Sequence, residues 1–387
     1  MGILEGIRVI DFTHMIAGPL STMVLADLGA DVIKIEPPEG ETARHLGDPY
    51  WTDQTDYFIA LNRNKRSVVL DLKSPSGIDA VRALIADADI VVENFRAGTA
   101  DKLGLGYDAL AELNPRLIYC SISGFGPDGP YADRPAVDPI VQALSGIMQL
   151  TGTETSGPLK TGFPLGDYVT PLFGAIGMLA ALIEREKTGK GQRIDVSMLD
   201  ATVFSMIPRE GGYFAKGLHP IRRGNGHTQL MPANTYHTAD GRQIMLFCHN
   251  PKFWQALIDV LGDEGLRTDP RFATNAARIA ARDELEARIG AAFLEHPLSY
   301  WLPRIERFGA SAAPVRTFDE VFADPEILRH VVATVDHPTA GEVSLLKTPI
   351  RFSETPVTIR AAPPLLGQHN DEVLGADRPG EALSRPD

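Results

Sequence analysis

The chain has 387 residues, a formal net charge of -13 and 44% hydrophobic residues. One hydrophobic core stops growing at roughly 250–300 residues, so this length predicts two domains or a discontinuous arrangement, and the acidic balance argues against nucleic acid as a partner. The two cysteines are too few for a disulfide framework, no apolar run reaches the ~18–20 residues that span a bilayer, and the N-terminus lacks a signal-peptide pattern, so we expect a cytoplasmic protein with no membrane partner.

The first 36 residues have the pattern of a strand, a loop, a helix and a second strand. Residues 8–12 have the pattern of a buried strand, apolar residues recur at helical spacing over residues 20–28, and residues 31–36 have the pattern of the next strand. This order opens a doubly wound α/β sheet, in which ligands bind beyond the carboxyl ends of the strands. A nicotinamide-dependent oxidoreductase is one interpretation, but the loop at residues 13–19 lacks the G-x-G-x-x-G spacing of dinucleotide sites.

Further strand-like segments extend this pattern along the chain. They predict strands at residues 67–72, 89–92, 117–121 and 192–196. With helices between these runs, the predicted fold class is α/β with an open parallel sheet. Residues 94–96 follow one strand directly and are therefore expected at the ligand-binding edge of the sheet. The cations of residues 63–66 keep two interpretations open, a phosphate site or a solvated face.

A single carboxylate stands in a segment of small and turn-forming residues, 162–171, ahead of an apolar run. Thr170 and Pro171 have the pattern of a helix N-cap and a first helical residue, which would place Asp167 on a tight loop before the helix. A carboxylate with a reference pKa of ~3.9 is ionised at neutral pH, so it can attack an acyl group without a general base. The alternative is that Asp167 only supplies a turn or a charge near the helix start.

The pattern changes after the sheet region, and we predict two domains joined by two linkers. The large domain would comprise residues 1–212 and 330–387, and the smaller, mainly helical domain residues 226–325. Glycine and basic residues interrupt the pattern at 213–225, and the second linker would cover 326–345. Both connections are long for a compact monomer.

A series of short motifs follows a fixed order over residues 6–200. They are Ile10-Asp11-Phe12, Ala17-Gly18-Pro19, residues 28–36, Asn64-Lys65-Arg66-Ser67, Leu70-Asp71-Leu72-Lys73, Glu93-Asn94-Phe95, Gly124-Phe125-Gly126, Gly166-Asp167 and residues 192–198. In this order they resemble the family III CoA-transferases, a group that includes formyl-CoA and carnitine CoA-transferases and the 2-methylacyl-CoA racemases. The resemblance implies a Rossmann-like large domain, a smaller domain, and a homodimer in which two chains are interlocked.

The resemblance also implies that Asp167 is the nucleophile of a CoA-transferase. It would attack an acyl-CoA thioester to give an aspartyl anhydride, which CoA converts to an aspartyl-CoA thioester before CoA passes to the acceptor acid. Coenzyme A is then a substrate, no tightly bound cofactor or metal is expected, and backbone amides beside Gly166 and Asp167 are the expected oxyanion donors. The positions that match the family's CoA contacts are His14, Ile16, Ala17, Leu70, Lys73, Asn94, Phe95 and Lys102, with Arg134 as a further phosphate or adenine contact.

Other functions stay open from the sequence. The racemase branch carries a histidine at the position of Val137, so its absence favours CoA transfer over a 2-methylacyl-CoA racemase or an acyl-CoA isomerase. A NAD-dependent oxidoreductase and a non-catalytic CoA-binding protein are further alternatives. The donor and acceptor acids are not fixed by the sequence. A small dicarboxylic acid such as succinate, with succinyl-CoA as a donor, is suggested by four basic residues near the predicted domain crossing, Arg209, Arg222, Arg223 and His227.

Overall fold

The structure is a computed structural model that describes residues 2–47, 49–52 and 54–375. The chain separates into two compact units. The first unit comprises Met1–Ile147, Lys160–Gly211 and Glu326–Asp387, and the second unit comprises Met148–Leu159 and Gly212–Pro325. The last part of the predicted large domain, residues 376–387, lies outside the described residues.

A six-stranded parallel sheet forms the centre of the first unit. Its strands are β1 (Arg8–Asp11), β2 (Asp31–Glu36), β3 (Lys65–Val69), β4 (Ile90–Glu93), β5 (Ile118–Ser123) and β6 (Arg193–Ser197). Neighbouring strands are all parallel, and their order is β6-β5-β4-β1-β2-β3, which is the order of a doubly wound Rossmann sheet. The predicted α/β fold with an open parallel sheet is confirmed.

Helices cover both faces of this sheet. Up to residue 204 they are α1 (Ala17–Asp27), α2 (Asp56–Leu61), α3 (Pro75–Ala86), α4 (Thr99–Lys102), α5 (Tyr107–Leu113), α6 (Asp138–Ser145), α7 (Leu165–Thr188) and α8 (Met198–Phe204). Alternate strand residues enter two apolar layers, so Val9 packs with α1 and α7 residues, whereas Ile10 packs with α3 and α5 residues. Burial on both faces explains why β1, β2 and β4 carry apolar residues at successive positions, 9–10, 32–33 and 90–92.

The 24-residue helix α7 begins at Leu165, so the predicted start at Pro171 was wrong. The Thr170 hydroxyl donates to the carbonyl oxygen of Gly166 at 2.6 Å, inside the helix rather than at its cap. The first turn is capped instead by the carboxylate of Asp138, which accepts the N–H of Gly166 at 2.7 Å from a position 28 residues earlier in the chain. A local Thr-Pro pattern cannot reveal such a distant cap.

The prediction that no apolar run could span a bilayer was wrong for α7, whose most apolar part is long and hydrophobic enough to cross a membrane by length and composition. One such helix is weak evidence for a span, because the core helix of a globular domain passes the same test. Ala175, Met178, Ala181 and Leu182 of α7 are buried in the apolar layer that covers the sheet.

Residues 326–345, predicted as a linker, form regular structure in the first unit. The helix Pro325–Val331 leads into an antiparallel pair of strands, Val332–His337 and Gly341–Leu346. Val343 and Leu345 are buried with Ile59 of α2, and this packing holds the segment in the first unit. The same unit contains a short antiparallel pair, Pro49–Trp51 with Gln54–Thr55, and a helix near the C-terminus, Asn370–Leu374.

The second unit has its own core and a three-stranded antiparallel sheet of Ala233–His237, Gln243–Phe247 and Ala312–Pro314. Its helices are Gly211–Lys216 at the unit boundary, Pro251–Leu261, Glu264–Thr268, Asn275–Ala280, Arg282–Phe293, Leu298–Phe308 and Phe318–Phe322. Residues 148–159, expected in the large domain, belong to this unit and form the paired strands Gly152–Thr153 and Gly157–Pro158. The N–H of Gly224 holds them by donating to the Gly152 carbonyl at 2.7 Å.

Candidate active site

Asp167 is the third residue of α7 and its side chain is half-buried. Burial, followed by the nearby negative charge of Asp138, raises the pKa of Asp167 from 3.8 to about 6. Among the described residues no cation offsets these two effects. The carboxylate of Asp167 is therefore more basic than that of an ordinary aspartate, yet it remains mostly ionised at neutral pH.

Asp138 and Gln142 of α6 hold the segment that leads into α7. The two oxygens of Asp138 accept hydrogen bonds, Oδ1 from the N–H of Gly166 at 2.7 Å and Oδ2 from Nε2 of Gln142 at 2.7 Å. The other end of the Gln142 amide, Oε1, accepts the N–H of Thr161 at 2.9 Å. Asp138 is 4% exposed and Gln142 is fully buried, so these bonds form away from competing water.

Close packing requires a glycine at position 166. A Cβ atom there would lie 2.9 Å from Cγ of Met198, 3.1 Å from Oδ1 of Asp138 and 3.1 Å from Oγ1 of Thr202. Met198 and Thr202 belong to α8, so Gly166 is the point where α6, α7 and α8 approach one another. The methionine can move, but the carboxylate is fixed by the hydrogen bonds that its two oxygens accept.

The expected oxyanion donors need a correction. The N–H of Gly166 is already bonded to Asp138, so it is not free to donate to a substrate oxygen. Leu165 and Asp167 are also residues of the first turn, where backbone N–H groups have no carbonyl partner within the helix. These two amides are the ones that the helix N-terminus offers beside the nucleophile candidate.

A cavity of about 590 Å³ in the first unit is lined by Asp167. Six of the predicted CoA contacts line the same cavity: His14, Ile16, Ala17, Asn94, Phe95 and Arg134. The other three do not line it. Leu70 follows β3 and packs against the apolar layer beneath it, and Lys73 and Lys102 are exposed, before α3 and at the end of α4. The structure thus brings most of the predicted contacts together with Asp167, and their roles stay predictions.

Reciprocal hydrogen bonds join the loop after β1 to the end of β4. The N–H of His14 donates to Oδ1 of Asn94 at 2.9 Å, and Nδ2 of Asn94 donates to the carbonyl of His14 at 2.9 Å. The ring of Phe95 lies 6.0 Å from the His14 ring, centroid to centroid. Burial, and after it the charge of Lys34, lowers the pKa of His14, so this imidazole is neutral at pH 7.

Buried ion pairs support this loop from below. Nζ of Lys34 donates to the carbonyl of Thr13 at 2.7 Å and pairs with Glu41 at 2.9 Å, while Lys65 pairs with Asp11 at 3.0 Å. Burial lowers the pKa of Lys65 to about 8. Lys65 is 1% exposed, so this cation forms neither the solvated face nor the open phosphate site that the sequence left as alternatives.

The cavity also contains residues that the sequence did not single out. Lys160 and Arg96 line it and add positive charge. Gln142 could have been found from its i, i+4 spacing to Asp138 on a helix, but its second partner, Thr161, is 19 residues away. Nothing in the sequence distinguishes Lys160 from a solvated lysine.

The basic residues expected to hold a second carboxylate do not line this cavity. Arg222, Arg223 and His227 belong to the second unit, where Nη1 of Arg222 donates to Oε1 of Gln149 at 2.5 Å. Arg209 is exposed in the first unit. Val137, at the position of the racemase histidine, lines the cavity without offering an acid or base.

Comparisons with known proteins match almost the whole chain. The family model described as CoA-transferase family III matches residues 4–370. The succinate-glutarate CoA-transferase of Agrobacterium fabrum is 38% identical over 379 residues, 96% of this chain and 94% of that protein. The acetyl-CoA:oxalate CoA-transferase of Acetobacter aceti is 42% identical over 316 residues, 81% of each. A crystal structure of a CAIB/BAIF family protein from Brucella suis has a TM-score of 0.87 at 38% identity, covering 96% of this chain and 99% of that one. These matches confirm the resemblance, and the chain belongs to CoA-transferase family III.

Proposed function

We propose that this enzyme moves CoA from an acyl-CoA thioester to a small carboxylic acid, with Asp167 as the nucleophile. The observation that supports the proposal most is the half-buried carboxylate of Asp167 in the wall of an open cavity, beside Asp138. With a pKa of about 6 this carboxylate is ~90% ionised at pH 7 and more basic than an exposed aspartate. Both properties favour attack on an acyl carbon.

The proposed reaction exchanges carboxylates on one thiol. An Oδ atom of Asp167 attacks the thioester carbonyl carbon, and the C–S bond breaks. CoA departs as the thiolate, and an acyl-aspartyl anhydride is formed. The thiolate then attacks the aspartyl carbonyl carbon, so that the donor acid departs and an aspartyl-CoA thioester remains. The acceptor carboxylate attacks this thioester and releases the thiolate again. Attack of the thiolate on the acyl carbon of the new anhydride gives the product acyl-CoA and regenerates Asp167.

Each step exchanges one activated acyl group for another, so the energy of the thioester is kept if water stays away from the anhydride. Negative charge develops on the attacked carbonyl oxygen, and the N–H groups of Leu165 and Asp167 are the proposed donors to it. The positive end of the α7 dipole would act in the same direction.

We propose CoA contacts at the nine predicted residues. The thiol end of CoA has to reach Asp167, so it would lie among the cavity residues His14, Ile16, Ala17, Asn94 and Phe95. The nucleotide end would then extend toward Leu70, Lys73 and Lys102, with Arg134 as a further cation. Phosphates suit these lysines and this arginine because ammonium and guanidinium groups form charge-assisted hydrogen bonds with them.

For the acid substrates we propose a small dicarboxylate. Succinate, glutarate and oxalate, which appear in the names of the relatives described above, all carry two carboxylates. Lys160 lines the cavity with Asp167, and its described polar contact is with the neighbouring Thr161 carbonyl at 3.3 Å. Its ammonium group is therefore the proposed partner for the second carboxylate, in place of the arginines of the second unit.

We also propose a cytoplasmic homodimer, with the predicted interlocked arrangement as the form to test. The support is an apolar stripe on α7 that faces away from the core: Tyr168, Leu172, Ile176 and Ile183 are 45–63% exposed. An exposed apolar face of this kind is typical of an interface. Sedimentation velocity over a range of concentrations tests this, and a stable folded monomer at all of them would contradict it.

Mass spectrometry of a trapped intermediate tests the proposed nucleophile. The wild type incubated with succinyl-CoA or acetyl-CoA, without an acceptor, should carry a CoA adduct on the peptide that contains Asp167. Asp167→Ala should lose the adduct and the transfer to succinate, glutarate or oxalate, while calorimetry shows that CoA still binds. Asp79→Ala, which removes an exposed carboxylate of α3, is the matched control and should behave as the wild type. Undiminished turnover by Asp167→Ala would rule the proposal out.

Deuterium uptake at the α-carbon of a 2-methylacyl-CoA in D2O would favour the racemase instead.

A further inference from the structure

Asp138 and Gln142 are buried polar residues that take no part in the proposed bond changes, yet they contact the segment before Asp167 at two places. We propose that they form a positioning pair that fixes the first turn of α7, and with it the carboxylate of Asp167, for attack on the thioester. This inference rests on the proposed role of Asp167 as the nucleophile.

The positioning pair is a continuous chain of hydrogen bonds between two backbone N–H groups. It runs from Gly166 to Asp138 at 2.7 Å, from Asp138 to Gln142 at 2.7 Å, and from Gln142 to Thr161 at 2.9 Å. The hydroxyl oxygen of Thr161 lies 2.6 Å from the carbonyl oxygen of Phe163 and 3.2 Å from Oε1 of Gln142, so its single proton has two acceptors within reach. Both ends of the segment from Thr161 to Gly166 are therefore bonded to α6.

Hydrogen-bond polarity requires one negative charge in the positioning pair. Both ends of the chain, the N–H groups of Gly166 and Thr161, are donors, so each needs an acceptor. An amide side chain offers one donor group and one acceptor, so two amides in series, each accepting one of these N–H groups, would leave their two NH2 groups facing each other. One carboxylate and one amide satisfy all the groups, with the carboxylate in either position. This chain carries the carboxylate at Asp138, directly beside Gly166 and next to the nucleophile.

The position of that charge affects Asp167. Burial contributes most to the raised pKa of Asp167, and the charge of Asp138 is the next cause. The other titratable or charged residues that line the cavity with Asp167 are His14, Tyr57, Arg96, Arg134 and Lys160. On the side of α8, Met198 and Thr202 approach Gly166, and neither is ionisable. Asp138 therefore both orients the first turn and keeps the nucleophile basic.

A charge exchange within the positioning pair tests this assignment. In Asp138→Asn the new amide nitrogen faces Nε2 of Gln142, so two donors oppose each other and neither has an acceptor. We therefore expect the rate of CoA adduct formation at pH 8 to fall about 10-fold or more. The double variant Asp138→Asn/Gln142→Glu restores every donor and acceptor with the same net charge, and it should recover to within about three-fold of the wild type. A purely structural role would be served equally well by both arrangements at every pH.

The pH dependence separates positioning from structure. Moving the charge away from Gly166 should lower the pKa of Asp167 in the double variant, by about one unit for a displaced neighbouring charge. The ionised fraction at pH 5 would then rise from ~10% to ~50%, so adduct formation at pH 5 relative to pH 8 should increase about five-fold. Carboxyl ¹³C NMR of aspartate-labelled protein, with Asp167→Asn to identify the resonance, measures the same pKa without any substrate.

Different results would contradict the positioning role of Asp138 and Gln142 and the proposed CoA transfer. The positioning role would be contradicted if the double variant were as slow as Asp138→Asn, or if its Asp167 resonance titrated as in the wild type. A wild type that forms no adduct with any acyl-CoA would remove the proposed function, and with it the attack for which the pair positions Asp167. If Asp138→Asn alone fails to fold, the comparison of the double variant with the wild type carries the test.

Discussion

Replacing Asp167 by asparagine should stabilise the protein at neutral pH, because the folded state disfavours the ionised carboxylate. The rise in the pKa of Asp167 from 3.8 to about 6 corresponds to about 3 kcal/mol. The folded protein binds this proton more tightly than the unfolded chain does. The cost is therefore absent below pH ~3.8, grows as the pH rises and is complete above pH ~6. An asparagine avoids this cost but loses about 0.3–1 kcal/mol of interaction with the helix N-terminus, so we expect a net gain of about 2 kcal/mol at pH 7.5.

Urea unfolding of the wild type and of Asp167→Asn measures this gain, at one protein concentration because dissociation of a dimer would contribute. The difference in the free energy of unfolding should be about 2 kcal/mol at pH 7.5 and close to zero at pH 4. Asp79→Asn, at an exposed carboxylate of α3, is the control and should change the free energy of unfolding by less than about 0.5 kcal/mol at pH 7.5. A gain of the same size at both pH values, or a loss of stability at pH 7.5, would refute burial as the cause of the raised pKa.

Three further substitutions have expected outcomes. Gly166→Ala should slow transfer about 10-fold or more, because the new Cβ would press on the carboxylate oxygen of Asp138 3.1 Å away. The free energy of unfolding should change by less than about 1 kcal/mol, because the higher helix propensity of alanine offsets this contact. Full transfer activity would contradict this prediction. Lys160→Met should raise the KM for a dicarboxylate acceptor about 10-fold and affect acetate much less, with Lys190→Met as the exposed control. Equal effects on both acids would exclude the proposed contact. Asn94→Leu removes two hydrogen bonds of 2.9 Å to the loop after β1 and should raise the KM for acyl-CoA about 5–10-fold; an unchanged KM would separate this loop from CoA binding.

The central sheet could be predicted because its signal is local. Strands such as β1, β2 and β4 contain adjacent apolar residues, and a parallel strand that is buried on both faces can be recognised from this pattern without knowing its partner strands. The prediction at residues 31–36 coincides with β2. The start of α7 could not be predicted in the same way, because the group that caps Gly166 is Asp138, 28 residues earlier.

The cations of residues 63–66 are an example of long-range contacts that a local sequence pattern does not predict. Arg63 and Lys65 are 2% and 1% exposed, and their partners, Asp27 and Asp11, lie 36 and 54 residues earlier on neighbouring elements of the sheet region. The run of basic residues is the same whether its charges face solvent, a phosphate or buried carboxylates. Only the fold selects the third arrangement, which the sequence did not suggest.

Pairing distinguishes two kinds of buried or half-buried carboxylate in the first unit. Asp11 and Asp27 each have a cation within 3.0 Å, and these ion pairs compensate for lost hydration. Within the described part of the chain, Asp138 is bonded by neutral donors and Asp167 has no cation that lowers its pKa. A cation beside them would relieve the unfavourable charge, but it would also lower the basicity of Asp167. An uncompensated carboxylate at an open cavity destabilises the fold, and such a cost is expected where the charge itself takes part in a reaction. The absence of a compensating cation, rather than acidity alone, is therefore what separates Asp138 and Asp167 from Asp11 and Asp27.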